Sequence, residues 1–210
     1  MVYNSGMQGR FLVFEGPDGA GKSSQLERLA QRVEGLGREV VRLVEPTHGP
    51  IGSEIRRRAQ QGPPLSAQEE LDLFVEDRRG NVRDAIEPAL ARGAVVIQDR
   101  YFYSTAAYQA ARDELGLSPA EVLELHAWAP RPDRVLLLDL PTEVGLARVA
   151  ERGAGDAFER EDRQRKVREH FLAMAEGDPA FRRVDASRPR DAVAAAVWAE
   201  VADLFGEEDA

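Results

Sequence analysis

The residues Gly16-Pro17-Asp18-Gly19-Ala20-Gly21-Lys22-Ser23 match G-x-x-x-x-G-K-[ST] in full, and their types suit one task, the cradling of a polyphosphate. Glycines let the backbone curl until successive N–H groups face one centre, and a helix starting at the end of the loop adds partial positive charge. Lys22 would place a mobile point charge on the β- and γ-phosphates of ATP, with Ser24 following on the same turn, and Ser23 would offer a hydroxyl to Mg²⁺. Among the 28 basic residues only Lys22 and Lys166 are lysine. A chain that uses arginine almost everywhere keeps an ammonium here, where a planar fork would fit poorly. A glycine-rich turn can match by accident, but the apolar run before it and the helical pattern after it weigh against that.

A second constellation stands at Asp99-Arg100, closing the apolar run Ala94–Gln98. In an open parallel sheet ligands sit at the carboxyl ends of strands, so this pair is expected beside the phosphates. Asp99 could hold Mg²⁺ through water, and Arg100 could grip an acceptor phosphate with two parallel hydrogen bonds. A strand-end ion pair without chemistry is the alternative. Asp139, which ends the run Val135–Asp139, is a rival for the metal carboxylate and ranks lower.

The elements that must carry these groups alternate short apolar runs with longer amphipathic stretches, the pattern of βαβ units around a parallel sheet. Strands are predicted at 11–15, 40–44, 94–98 and 135–139, with an edge strand at 183–185. Helical spacing of Leu26, Leu29, Ala30 and Val33 predicts a helix over 23–36. A short helix is expected over 51–60. Ser66 with Glu69 is a capping box opening a long helix from Ala67 to about Arg92, with a kink expected at Pro88. A helix is expected from about Ser104, and Ser118-Pro119 with Glu121 opens another by the same capping logic. The charged stretch 144–176 reads as helix interrupted around Gly153-Ala154-Gly155, and a closing helix is expected over 192–205.

The chain has 210 residues, room for one α/β domain with a real core. No repeat, linker or low-complexity tract divides it, so a single domain spanning 1–210 is expected. No stretch approaches the length of a membrane span, and Met1–Gly9 lacks an apolar signal core. Cysteine is absent, which excludes disulfides and suits a reducing cytoplasm. A net charge of −9 argues against a protein that coats nucleic acid, so any positive field must be built locally.

Taken together, these residues resemble thymidylate kinase over nearly the whole chain. The matching pieces are Phe14-Glu15 with the loop that follows, Glu45-Pro46…Gly52…Ile55-Arg56, Leu73-Phe74…Arg78, Asp99-Arg100-Tyr101…Ser104…Ala107-Tyr108-Gln109, and Val144-Gly145-Leu146…Arg148. The resemblance implies an α/β P-loop NTPase fold, a five-stranded parallel sheet flanked by helices with a lid segment at about 148–163. It also implies a Mg²⁺-dependent transfer from ATP to dTMP in the course of dTTP synthesis, and a homodimer. Asp18 would then accept from the sugar 3′-OH, Phe74 would stack on thymine, and Arg78 would bond its edge. Tyr108 would pack against the deoxyribose, with Tyr101, Ser104, Thr105 and Gln109 completing the pocket beside Glu45 and Pro46, while Arg56 and Arg100 would hold the acceptor phosphate. Taken without the resemblance, Phe74 would read as a core aromatic on an amphipathic helix. Kinases of other nucleoside monophosphates, and a P-loop ATPase switch without a small-molecule acceptor, are the alternatives.

Two departures stand out. Val44-Glu45-Pro46 replaces the usual Arg-Glu-Pro, and Thr47-His48-Gly49-Pro50 follows it. In the lid, Asp156-Ala157-Phe158-Glu159 has alanine where the family pattern has arginine, so Arg152 and Arg148 are expected as substitutes within a run that also holds Arg160, Arg163 and Arg165.

Overall fold

A computed structural model describes residues 8–61, 63–112, 114–150 and 157–206. Among them five parallel strands form one sheet, β1 (Arg10–Glu15), β2 (Val40–Val44), β3 (Val95–Asp99), β4 (Arg134–Asp139) and β5 (Phe181–Asp185), in the order β2-β3-β1-β4-β5. The central strand β1 buries alternate residues on opposite faces, which is why its run is apolar throughout. Phe11 and Val13 join Val96, Val135 and Leu137 in one core; Leu12 and Phe14 join Val95, Ile97, Leu136 and Leu138 in the other. The second core is covered by α1 (Lys22–Gly35) and α9 (Arg190–Ala199) through Leu26, Leu29, Val33, Val197 and Trp198. The first is covered by α3 (Ala67–Asn81), α5 (Phe102–Ala110) and α8 (Ala157–Gly177), which supply Leu71, Phe102, Ala106, Val167 and Phe171.

The remaining helices are α2 (Pro50–Gln61), α4 (Glu87–Ala91), α6 (Pro119–Glu124) and α7 (Thr142–Ala150). Both expected capping boxes form: the Ser66 and Ser118 hydroxyls accept from the Glu69 and Glu121 N–H groups, whose carboxylates bond back. Pro88 lies just past a change in the helix's hydrogen-bond pattern. It has no N–H for the Asp84 carbonyl and its ring crowds that carbonyl, and the preceding turn widens into a π-helical segment, Val82–Ile86, where the Glu87 N–H reaches Val82. The edge strand starts earlier than expected, at Phe181, because Phe181 pairs with Val135 and fills the core. The expected closing helix stops at Ala199 and resumes as a 3₁₀ turn, Ala202–Phe205.

The strand register positions the site. Phe14 stands opposite Asp99 and Leu136, and Val44 opposite Asp99. The chain therefore leaves β1, β2 and β3 at the same edge of the sheet, with Gly16, Glu45 and Arg100 as neighbours. The loop after β1 then packs tightly on α7. Gly19 has φ +82°, and a Cβ there would lie 2.4 Å from the Gly145 carbonyl oxygen. Replacing Gly19 with alanine should lower the unfolding free energy by about 2 kcal/mol through left-handed strain and this clash, measurable as a lower urea midpoint at unchanged m-value.

Candidate active site

The glycine-rich loop ends on Gly21 in the left-handed region, and no side chain caps α1, unlike α3 and α6. The first-turn N–H groups of α1 are thus left facing the loop's concavity, the arrangement that attracts an anion. Lys22 is buried, and its ammonium donates to the Gly16 and Pro17 carbonyls at 3.0 Å each. Burial, then the nearby Arg100, lowers its pKa to about 8. Ala20 turns inward and joins the core beneath the loop.

The Asp99-Arg100 pair emerges beside the loop. Ser23 Oγ donates to Asp99 Oδ2 at 2.6 Å. The other oxygen, Asp99 Oδ1, is buried and has no hydrogen-bond partner, so a hydroxyl and a free carboxylate oxygen sit together, a donor set that fits a hard divalent cation. Among the described residues no three His, Cys, Asp or Glu side chains gather, so such an ion would draw its other ligands from phosphate and water. The rival carboxylate Asp139 is occupied: Arg168 and Arg183 both donate to it.

Arg100 sits at φ 67°, a conformation that strains any residue but glycine. It is held there by three contacts: to Asp18 at 2.5 Å, Ser104 Oγ at 2.9 Å and Tyr108 Oη at 3.4 Å. Behind it stands Glu15, fully buried, which accepts from the Tyr101 and Ser104 N–H groups and the Ser104 hydroxyl. Burial pushes the Glu15 carboxyl up to about 7, against the pull of Ser104 and Arg100. Sequence reasoning placed Glu15 in a strand and assigned it no role; a lone carboxylate at the end of an all-apolar strand was the available signal.

Next to this pair lies a cavity lined by Phe74, Arg78, Tyr101, Ser104, Thr105, Tyr108 and Gln109, together with Asp18, Glu45, Pro46, Glu70, Arg100 and Arg163. Arg78 is 1% exposed. Its Nε and Nη2 donate to Glu45 Oε2 at 2.9 and 2.6 Å, and Nη2 also reaches Thr105 Oγ1. Asn81 holds the other Glu45 oxygen. Burial raises the Glu45 pKa despite Arg78. Arg78 Nη1 and Gln109 Oε1 are buried without partners.

Asp18, Glu45, Pro46 and Arg100 also line the cavity over the loop, with Gly19, Gly21, Lys22, Ser23, Ser24 and Asp99. A third cavity continues past Gly19 and Gly21 to Ser24, Arg148, Arg188 and Arg190; Arg148 donates there to the Gly19 and Ala186 carbonyls. The three form one trough.

Arg56, expected at an acceptor phosphate, donates from its guanidinium to the Pro46 and Thr47 carbonyls and lines a recess with Ser23 and Asp99, next to the Phe74 cavity. Val44 contributes an apolar wall to the loop cavity. His48 is exposed. Arg165 is engaged by Glu161 and Asp162, whereas Arg163 lines the Phe74 cavity and Gln164 donates to Asp18 at 3.3 Å. Arg152, Gly153 and Gly155, and the Arg160 side chain, lie outside the described residues.

Comparison with known proteins agrees with this geometry. The thymidylate kinase family model matches residues 14–197. A thymidylate kinase of Xanthomonas euvesicatoria pv. vesicatoria is 47% identical over 88% of this chain and 80% of its own. One from Xylella fastidiosa is 42% identical over 94% of this chain and 88% of its own.

The buried Glu15 makes stability depend on pH. Its folded pKa lies above that of the unfolded carboxylate, so proton binding favours the folded chain; the contribution is full below pH 4.5 and is lost as pH rises through 7. The stability of the wild type relative to Glu15→Gln should therefore fall between pH 5 and pH 8, as read from urea unfolding at both.

Proposed function

Because the chain belongs to the thymidylate kinase family, we propose that the trough takes two nucleotides end to end, ATP along the glycine-rich loop and dTMP in the base cavity, and that the γ-phosphoryl passes between them to give ADP and dTDP on the way to dTTP. The observation that carries this reading is the shared wall: Asp18, Glu45, Pro46 and Arg100 border both cavities, so two phosphate ends would meet beside Arg100. A switch acting through a protein partner would have no use for the second, aromatic-lined cavity.

The chemistry is positioning plus electrostatics, with no covalent intermediate. The loop amides from Gly16 to Ser24 would hold the β- and γ-phosphates, Lys22 would turn from its carbonyl partners to the polyphosphate, and Arg148 would border the adenosine half. Ser23 and Asp99 would hold Mg²⁺, which supplies charge neutralisation on the polyphosphate. Arg100 would grip the acceptor phosphate together with Arg56. Asp18, already bonded to Arg100, would accept from the 3′-OH and so tie acceptor to donor loop. Phe74 would stack on thymine and Tyr108 would pack on the sugar. Arg78 Nη1 would donate to the ring carbonyl at position 4, and Gln109 Oε1 would accept from the ring N–H at position 3; each is otherwise an unpartnered buried atom. The segment between α7 and α8 would close as a lid carrying Arg152, with Arg163 over the base cavity. One domain, a homodimer formed through helices flanking the site and a cytoplasmic setting complete the reading, supported by the family and by the lack of cysteine; among the described residues no helix is long and apolar enough to cross a membrane.

A coupled assay of ADP release should show a nearly idle enzyme with ATP alone and rapid turnover on adding dTMP, with Lys22→Ala lowering kcat by roughly 10²–10³-fold while its circular dichroism is unchanged. Steady ATP hydrolysis that ignores every monophosphate would overturn the assignment. Phe74→Ala should raise KM for dTMP by about tenfold or more, with KM for ATP nearly constant; equal changes in both would remove Phe74 from the base site.

A further inference from the structure

We propose that Glu70 fixes the polarity of the Gln109 amide, and thereby makes the base cavity accept a pyrimidine carrying N–H at ring position 3 and refuse one whose position 3 is a bare nitrogen. The inference rests on the dTMP-site reading above and adds a positioning residue to it.

A primary amide has two ends of nearly equal shape and opposite hydrogen-bonding sense. Left alone in a cavity wall, the Gln109 amide would turn to suit either kind of ring. It is not left alone. Its Nε2 donates to Glu70 Oε2 at 3.0 Å, and an ionised carboxylate only accepts. Arg112, three residues beyond Gln109, donates from Nη1 to the same Glu70 oxygen and is itself anchored on Glu114 at 3.2 Å. The same carboxylate oxygen is thus held by a second, charged donor. Gln109 is 1% exposed, so turning its amide over would set oxygen against carboxylate oxygen where water cannot relieve the repulsion.

The outcome is an acceptor, Gln109 Oε1, left without a partner on a residue that lines the same cavity as Arg78, whose Nη1 is an unpartnered donor. One acceptor and one donor match the N–H at position 3 and carbonyl at position 4 of thymine or uracil. Cytosine reverses both groups. Arg78 can only donate, so its half of the discrimination is intrinsic to the side chain. The Gln109 half is intrinsic only while Glu70 is a carboxylate.

The test uses the full chain with ATP and three acceptors, dTMP, dUMP and dCMP, comparing kcat/KM or, for an idle nucleotide, its inhibition constant against dTMP. Glu70→Gln is isosteric and can offer either end of its own amide, which frees Gln109 to turn. The preference for dTMP over dCMP should fall by about tenfold, the scale of one enforced hydrogen bond, while the preference for dTMP over dUMP holds within about twofold, since those rings share the N–H. Should Glu70→Gln fail to fold, Arg112→Met carries the same comparison, with a smaller change in the same direction. An unchanged dCMP ratio, or both ratios falling together as in a general loosening of the cavity, overturns the proposal. A wild type that ignores dTMP while using ATP overturns the functional reading itself.

Discussion

The register of β1 against β3 is the constraint on which the site depends. With Phe14 opposite Asp99, the chain leaves the sheet at Gly16 and at Arg100 side by side, and two short contacts follow, Ser23 to Asp99 and Asp18 to Arg100. Each links the glycine-rich loop to the end of the neighbouring strand. A slip of one residue would carry every side chain of β3 to the opposite face, sending Val96 out of one core and Asp99 away from Ser23. The apolar alternation that fills the two cores is therefore the same feature that aligns the chemistry. Arg100 shows how firmly that alignment is imposed: its positive φ is tolerated because Asp18, Ser104 and the Glu15 relay behind it over-determine its place.

A chain of net charge −9 repels nucleotides at a distance, and screening confines what local cations can do to roughly 8 Å at physiological salt. Lys22, Arg78 and Arg100 are accordingly set into the trough walls instead of being spread over the surface. Buried ions cost several kcal/mol each unless paired; Arg78 is paired with Glu45, which Asn81 also holds, and the half-buried Arg100 with the exposed Asp18. Such pairs contribute little net stability. They hold guanidinium groups in fixed orientations before a substrate arrives, which is where preorganised electrostatics gain their effect.

Much of this was legible in the sequence because it is local. The glycine-rich loop, both capping boxes and the strand runs each depend on residues within a few positions of one another, and Asp99-Arg100 was placed correctly by the rule that strand ends gather in a parallel sheet. What escaped was long-range. Nothing in the spacing of Glu15, Glu70 or Gln164 announces Ser104, Gln109 or Asp18 as partners, since those meetings need the fold. Arg56, expected at an acceptor phosphate by resemblance, donates to the Pro46 and Thr47 carbonyls, partners that no local spacing announces. Pro88 is legible as an interruption of the helix because its effect on a single carbonyl is local, whereas the π-helical form that the interruption takes over Val82–Ile86 is not.

The distribution of unmade hydrogen bonds points the same way as the pairs. Leaving a buried polar atom without a partner costs about 1–3 kcal/mol, so such atoms are expected to be scarce and scattered. Eight occur among the described residues; those of Gln25, His126, Arg134 and Gln164 lie outside the two cavities, and four border them, Asp99 Oδ1 at the loop cavity and Arg78 Nη1, Tyr101 Oη and Gln109 Oε1 on residues lining the Phe74 cavity. Each belongs to a side chain whose other atoms are well engaged or tightly packed, so none of the four can turn away to relieve its own deficit. Each unmade bond costs the empty chain stability, and a ligand that supplied a cation or donor at the loop cavity and a mixed donor–acceptor edge at the other would recover it. Rigid side chains with one unmet bond each convert that lost stability into selectivity, because a ligand of the wrong polarity leaves the deficit in place and adds its own.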